Sequence, residues 1–171
     1  MPIASFSITL NDDPFLGISL TIFCAGCNRR CYKCQQPELQ DPSYGIEMSL
    51  DEIKEKIRSR ALLIDSVVFC GGEFNLYPDQ LLDLATFCKN NNLRTILYTG
   101  FKYESLREDI KKVLDVVIDG EFDFSKRTSS FPSSSNQRVF VSCQPVDPST
   151  LPINKQTLAQ SFSNAMHQVI N

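Results

Sequence analysis

The chain has 171 residues, of which 42% are hydrophobic, and this composition is enough for one domain with a buried core. Its net charge of -3 excludes the strongly basic surface of most nucleic-acid-binding proteins. The first residues lack the features of a signal peptide and no apolar run is long enough to span a bilayer, so we expect a cytoplasmic protein without a membrane or nucleic-acid partner. The single histidine, His167, lies in a polar stretch near the C-terminus, which makes histidine-based catalysis improbable.

Short apolar runs alternate with helical patterns along the chain. Strands are predicted at 6–10, 17–23, 66–70, 94–99, 114–118 and 137–142. Helices are predicted after Ser49, which forms a capping box with Glu52, from Pro78 with an apolar face of Leu81, Leu84, Ala85 and Cys88, over 103–113, and from about Lys155. This alternation predicts one α/β domain over residues 1–171, either an open sheet or an incomplete barrel with mostly parallel strands. The sequence predicts no function for the C-terminal tail at 143–171.

Unusual residues follow four of the predicted strands. Cysteines follow the second strand, Gly71-Gly72-Glu73 follows the third, Thr99-Gly100 ends the fourth, and Asp119-Gly120 ends the fifth. The carboxyl ends of parallel strands meet at one edge, where α/β proteins bind their ligands. Turn-forming glycines would explain any one of these positions, but they do not explain the cysteines or Glu73.

Four of the seven cysteines, namely Cys24, Cys27, Cys31 and Cys34, lie within the cluster loop at 24–35. Two disulfides are disfavoured in a cytosolic chain. A four-cysteine zinc site is a second possibility, but only three residues separate the two CxxC pairs, whereas zinc ribbons use about 15–20. A third possibility is a set of three thiolates from Cys27, Cys31 and Cys34.

Three thiolates suit a [4Fe–4S] cluster in which one iron has no protein ligand. A cluster that only carries electrons is normally held by four cysteine thiolates. The open iron can bind a small molecule, and the aromatic ring of Tyr32 could lie near an adenine. We interpret Cys24 and Cys70 as small buried residues beside the site and Cys88 as part of the core, whereas Cys143 stays unassigned.

The segment from Cys27 to Cys34, CNRRCYKC, resembles the CxxxCΦxC signature of the radical S-adenosylmethionine (SAM) superfamily, in which Φ is aromatic. Gly71-Gly72-Glu73 is similar to the GGE motif of the same superfamily. The resemblance implies an incomplete (β/α) barrel of the radical SAM type. It also implies that Cys27, Cys31 and Cys34 bind a [4Fe–4S] cluster, that Gly71 and Gly72 allow SAM to approach the backbone, and that Glu73 receives its amino group.

Further stretches resemble the activating proteins of anaerobic ribonucleoside-triphosphate reductase. They are FCAGC at 23–27, LYTGFKYESL at 97–106, VIDGEF at 117–122 and SSNQRV at 134–139. This resemblance implies that a reduced cluster cleaves SAM, and that the 5′-deoxyadenosyl radical then takes hydrogen from a glycine of the large subunit of class III ribonucleotide reductase. It further implies a one-electron donor such as flavodoxin or ferredoxin.

The remaining candidate residues have two interpretations each. Thr99 could contact SAM or be an ordinary strand residue. The resemblance alone implies that Asn136 and Arg138 hold the SAM carboxylate or ribose, whereas a solvated charge at the end of a strand also explains Arg138. Asp119 could act near the partner's glycine or only form a turn. The serine-rich stretch at 125–135 is expected to be a mobile loop.

Two alternatives to this function stay open from the sequence. One is a different radical SAM activity, either activation of another glycyl-radical enzyme or modification of a small molecule. The other is a non-enzymatic zinc module with Cys24, Cys27, Cys31 and Cys34 as ligands.

Overall fold

The computed structural model describes residues 1–155, so the helix predicted from about Lys155 and the histidine at 167 lie outside the described residues. The strands are β1 (Pro2–Thr9), β2 (Ser19–Cys24), β3 (Ile46–Glu47), β4 (Ser66–Gly71), β5 (Arg94–Thr99), β6 (Val116–Asp119), β7 (Arg138–Val141) and β8 (Gln144–Val146). The α-helices are α1 (Leu50–Arg58), α2 (Pro78–Asn90), α3 (Glu108–Val113) and α4 (Pro152–Lys155). Within this part of the chain, no helix combines the length and apolar character needed to cross a membrane.

All eight strands form one sheet in the order β3-β1-β2-β4-β5-β6-β7-β8. The prediction of an α/β fold is confirmed. The prediction of mostly parallel strands holds only for the centre, because β2, β4, β5 and β6 are parallel to one another whereas β1, β3, β7 and β8 pair antiparallel with their neighbours. The order gives an open sheet with β3 and β8 at its edges, and closure into a barrel is not shown.

The antiparallel flanks follow from the connections. A parallel neighbour needs a crossover, normally through a helix, and α1, α2 and α3 each precede one of the central strands β4, β5 and β6. No α-helix lies between β6 and β7, so the chain returns antiparallel. Strand β8 was not predicted; it follows a two-residue turn in which Ser142 and Cys143 both have positive φ.

The sheet has a buried core on each face. Val67 and Phe69 of β4 belong to the core beneath the helices, while Val68, between them, belongs to a second core with Ile96 and Ile118. Successive side chains of a strand point to opposite faces, so the continuous apolar run of β4 is explained by burial on both sides.

Two predicted helices begin as expected, and the third is divided. Ser49 and Glu52 form both hydrogen bonds of the capping box at the start of α1, and the predicted apolar face of α2 is buried. The predicted helix over 103–113 is instead a 3₁₀ turn at Tyr103–Ser105 followed by α3. The division occurs because Leu106 takes an extended conformation and is buried in the core beneath the helices.

Part of the serine-rich stretch at 125–135 packs against the sheet, and its mobility stays a prediction. Phe131 joins the second core and meets the ring of Tyr98 edge-on at 6.4 Å. The side-chain amide of Asn154 accepts a hydrogen bond from Phe131 N (3.0 Å) and donates one to Phe131 O (2.6 Å). The Phe131 side chain and the two hydrogen bonds from Asn154 therefore anchor an otherwise polar segment.

Candidate functional site

A cleft lies at the carboxyl edge of the four parallel strands, as the sequence predicted from the residues at the strand ends. Residues of the cluster loop, of the turn after β4, of the end of β5 and of the turn after β6 line it together. Seven of the ten residues predicted to bind the metal or the cofactor are among them: Cys27, Cys31, Cys34, Gly71, Gly72, Glu73 and Thr99.

Local backbone contacts shape the cluster loop. Cys34 N donates to Cys31 O (3.1 Å), so the two-residue spacing closes a turn, with Lys33 at positive φ inside it. At the start of the loop, Gly26 N donates to Leu39 O (2.9 Å) and Cys27 N donates to Gln40 O (3.2 Å). The loop is therefore fixed to the segment that follows it, and its three thiols face one cleft.

The thiols of Cys27 and Cys31 are partly buried, and burial raises the pKa of each above the usual value. Backbone N–H groups oppose this effect, since Arg29 N lies 3.4 Å from Cys27 Sγ and the backbone of Phe122 donates to Cys31. A bound iron would deprotonate both thiols, and N–H donors stabilise the resulting thiolates. The donor chemistry of this set fits an iron–sulfur cluster.

Cys24 differs from these three cysteines. It is fully buried at the end of β2, does not line the cleft, and burial raises its pKa well above the usual value. These properties disfavour it as a fourth zinc ligand. Among residues 1–155, no three His, Cys, Asp or Glu side chains converge as ligands of a single ion would. A cubane makes a different demand, because each of its thiolates binds a separate iron.

The two glycines at the end of β4 allow the following turn to lie against the cluster loop. Gly71 has φ +102°, and a Cβ there would lie 2.8 Å from Cys24 O. A Cβ on Gly72 would overlap the carbonyl oxygen of Gly26. Because both obstacles are backbone atoms, these two positions require glycine, and their motif brings β4 and the cysteines together.

Glu73 is 1% exposed and makes three hydrogen bonds. Its Oε1 accepts from Asn75 N (3.0 Å) and from the hydroxyl of Thr99 (2.8 Å), and its Oε2 accepts from Gly100 N (2.8 Å). Burial raises the pKa of this carboxyl, which the hydrogen bonds partly offset. Thr99 thus contacts Glu73 as well as lining the cleft, so β5 orients the carboxylate that the motif supplies.

Arg29 also lines the cleft, although its sequence gave no signal beyond positive charge. Its guanidinium lies 4.2 Å above the ring of Phe101, and its Nη1 donates to Glu121 Oε1 at 2.8 Å. Its Nε is buried and finds no hydrogen-bond partner among the described residues. Glu121 lies 92 residues further along the chain, so no local pattern could have shown this placement.

Three other predicted residues lie outside the cleft lining. Tyr32 is 73% exposed, with its ring 6.0 Å from that of Phe124. Asn136 Nδ2 donates to Glu121 O at 2.9 Å, while its Oδ1 is buried and unpaired among residues 1–155. Arg138 pairs with Glu104 and with the buried Asp119. Their contacts with SAM stay predictions.

Asp119 has a structural role beside the cleft. Its carboxylate accepts from Tyr103 N (2.7 Å) and from Arg138 Nε (3.0 Å), and it is fully buried. These hydrogen bonds pin the turn after β5 and the strand β7 to the end of β6. The aspartate therefore fixes the position of the neighbouring Gly120, which does line the cleft.

Sequence reasoning missed several residues that shape or line the cleft. Tyr77 donates its hydroxyl to Ala25 O (3.1 Å) and so supports the start of the cluster loop from the far side of the glycine motif. Phe122, Ser133 and Gln137 line the cleft, the last donating from its amide to Gly120 O at 3.1 Å. The resemblance of the 134–139 stretch pointed to this region, but not to Gln137. Of the remaining cysteines, Cys70 lines the cleft, Cys88 is buried in the core as expected, and Cys143 is exposed.

Comparison with known proteins matches residues 16–140, more than half of the chain, to the family described as 4Fe-4S single cluster domain. The matched range contains all of the cleft residues described above. The zinc alternative is not supported by this match.

Individual relatives are more distant. The chain is 31% identical over 118 residues to the pyruvate formate-lyase-activating enzyme of Clostridium pasteurianum, covering 66% of this chain and 49% of that protein. It is 35% identical over 92 residues to the 7-carboxy-7-deazaguanine synthase of Methanothermobacter thermautotrophicus (53% and 36%), and 29% identical over 109 residues to the pyruvate formate-lyase 1-activating enzyme of Escherichia coli (60% and 44%). The chain thus spans about half the length, or less, of the curated relatives it matches.

Proposed function

The chain belongs to the 4Fe-4S single cluster domain family within the radical SAM superfamily, and we propose that it is a glycyl-radical activating enzyme whose target is anaerobic, class III, ribonucleotide reductase. Its cofactors are a [4Fe–4S] cluster and SAM. The incomplete (β/α) barrel and the single-domain organisation over residues 1–171 are part of this proposal.

The observation that carries the proposal is the meeting of the three cysteines and the GGE motif in one cleft. Cys27, Cys31 and Cys34 would hold three irons of the cluster, and Glu73 would receive the amino group of SAM. When bound, the cluster, once reduced by an external donor, would give one electron to SAM, whose sulfonium C–S bond would break to give methionine and a 5′-deoxyadenosyl radical.

The chain's own residues would bind SAM, orient it and shield it from solvent. The hydrogen bonds of Thr99 and Gly100 to Glu73 fix the carboxylate before a ligand arrives, so little reorganisation is needed on binding. Gly71 and Gly72 allow the ligand to lie against backbone. No general base is needed, since the proposed reaction transfers a hydrogen atom, and the single histidine, at position 167, is far in sequence from the motifs.

The choice of ribonucleotide reductase rests on the stretches at 97–106, 117–122 and 134–139, which resemble its activating proteins. The structure supports a shared role for them, because Thr99, Gly100, Gly120 and Gln137 from these stretches all line the cleft. An electron would come from a flavodoxin or ferredoxin that reaches the cluster loop.

A second candidate function is favoured by the relatives. Two of those reported are named for activation of pyruvate formate-lyase and one is a synthase of a small molecule. The runner-up is therefore another radical SAM activity, either activation of a different glycyl-radical enzyme or modification of a small substrate.

A partner-exchange experiment tests the proposed target. The cluster-loaded protein is incubated anaerobically with SAM, a reductant and either class III ribonucleotide reductase or pyruvate formate-lyase, and the glycyl radical is quantified by electron paramagnetic resonance. We expect the radical on the reductase, and its loss when the target glycine is replaced by alanine. A radical on pyruvate formate-lyase alone would contradict the proposed target and favour the runner-up.

A further inference from the structure

Contacts from two other parts of the chain, the turn after β5 and the turn after β6, hold the side chain of Arg29 in the cleft. Its Cγ lies 3.0 Å from the position that a Cβ on Gly100 would occupy. Its guanidinium lies above Phe101, and its Nη1 is bound to Glu121. A long side chain held by packing, a cation–π contact and an ion pair has few rotamers left, so its charge has a fixed place.

The guanidinium nevertheless keeps donors without an acceptor. Arginine has five N–H hydrogens, and within residues 1–155 only Nη1 makes a hydrogen bond. Nε is shielded from solvent and unpaired in the same part of the chain. Buried donors without partners are rare in folded proteins, because they lose water and gain nothing in return. The guanidinium is therefore ion-paired with Glu121 through Nη1 and still has N–H donors left for an anionic ligand.

Glu73 also lies close to Gly100. The position of a Cβ on Gly100 is 3.6 Å from Arg29 Nε and 3.6 Å from Glu73 Oε2. The cation and the carboxylate are thus within about twice that distance of each other, and the glycine places no side chain between them. Such a pair is complementary to an α-amino acid, which carries an amino group and a carboxylate on the same carbon.

We infer that Arg29 binds the α-carboxylate of SAM, while Glu73, close to the same glycine, receives the amino group. The methionine carboxylate is the only anionic group in SAM, and a guanidinium matches a carboxylate in charge and geometry. The inference rests on the proposed function, since it assigns a residue to the SAM cleft. It places the carboxylate contact in the cluster loop rather than on Asn136 or Arg138.

The inference is tested by measuring the affinity of the cluster-loaded protein for SAM and for decarboxylated SAM, which lacks only the carboxylate. The variants are Arg29→Gln, Arg29→Lys and, as the matched control, Arg30→Gln. Arg30 is the next residue of the same loop, but its Nη1 donates to the carbonyls of Cys27 and Arg29 and it does not line the cleft. Iron content and the cluster absorption verify that each variant is loaded.

We expect Arg29→Gln to weaken SAM binding by about 10- to 100-fold, the range for a charge-assisted hydrogen bond. Binding of decarboxylated SAM should change little, so the ratio of the two affinities falls by the same factor. Arg29→Lys should recover part of the ratio because it keeps the charge, and Arg30→Gln should leave the ratio as in the wild type.

An equal loss for both ligands in Arg29→Gln would overturn the inference, because a merely structural arginine cannot distinguish them. An unchanged ratio with intact SAM binding would also overturn it, while leaving the proposed function intact. Failure of the loaded wild-type protein to bind SAM would contradict the proposed function itself. The measurement therefore separates the two failures.

Discussion

The amino and carboxyl ends of the parallel strands form two opposite edges of the sheet, the amino edge and the carboxyl edge. Both edges carry similar polar residues, but they differ in how many of the buried polar atoms have hydrogen-bond partners. At the amino edge, Asp65 accepts from Ile18 N (2.7 Å), Asp115 accepts from Thr95 N (2.9 Å), and the buried Asp13 pairs with Arg94. At the carboxyl edge, Glu73 is equally well bonded, but both buried polar atoms that lack partners among residues 1–155, Arg29 Nε and Asn136 Oδ1, lie nearby.

This difference separates a structural edge from a binding edge. The amino-edge carboxylates tie the starts of neighbouring strands together, and no buried side-chain polar atom at this edge lacks a hydrogen-bond partner among residues 1–155. The carboxyl edge carries glycines, thiols and an arginine whose Nε has no hydrogen-bond partner among residues 1–155, and these groups suit a bound cofactor. Cavity size alone would mislead, because the cleft at the amino edge is larger, about 470 Å3 against about 160 Å3.

The largest expected effect is loss of the cluster from the carboxyl edge. Cys27→Ala, Cys31→Ala and Cys34→Ala should each lose nearly all bound iron after anaerobic reconstitution, since each removes one of the three thiolates available to the cubane. Iron analysis and visible absorption measure the loss. Cys24→Ala is the matched control and should keep its iron; a variant of Cys24 that lost it would argue for a four-cysteine site.

The next largest effect is on stability when a glycine at the carboxyl edge is replaced by alanine. Its size depends on whether the added methyl group meets backbone atoms or a side chain. Gly72→Ala should lower the free energy of unfolding by about 1–3 kcal/mol, because its methyl group would overlap the backbone of the cluster loop. Gly100→Ala should cost about 1 kcal/mol or less, because the obstacle is the Arg29 side chain, which can move. Urea unfolding measures both. Equal costs would mean that the close approach of the turn to the loop is absent in solution.

Much of this edge could be predicted from sequence because its signals are local. The CxxxCxxC spacing, the GGE motif and the apolar runs of β4 and β5 each lie within a few residues, and all were located correctly. Strand β8 could not be predicted, since Ser142 and Cys143 are not typical of a turn with positive φ. The setting of Arg29 depends on Phe101 and Glu121, which only the folded chain brings to it.

At the amino edge we expect an effect on stability without an effect on chemistry. Arg94→Met should lower the free energy of unfolding by about 1–3 kcal/mol, because among residues 1–155 it leaves the buried Asp13 carboxylate with only the backbone N–H of Phe15 as a partner. Iron content and SAM affinity should match the wild type. A loss of iron comparable to that of Cys31→Ala would show that the two edges are not separable in this way.

The smallest effect concerns acid stability on the flank of the cleft. Hydrogen bonds from Arg138 lower the pKa of Glu104 to about 2. A lowered carboxyl pKa stabilises the fold above the unfolded value of about 4.3, and this contribution is lost as the pH falls towards the folded value. The stability difference between wild type and Glu104→Gln, from urea titrations, should therefore be constant from pH 7 to 5 and shrink below about pH 4. A difference that did not change with pH would contradict the ion pair.

Reductive cleavage of SAM tests the central claim most directly. The cluster is rebuilt anaerobically, dithionite and SAM are added, and 5′-deoxyadenosine is quantified for the wild type, Cys31→Ala and Cys24→Ala. The carboxyl-edge site predicts product with the wild type and Cys24→Ala and none with Cys31→Ala. A wild-type protein that takes up zinc, binds no iron and yields no 5′-deoxyadenosine would contradict a radical SAM centre at this edge.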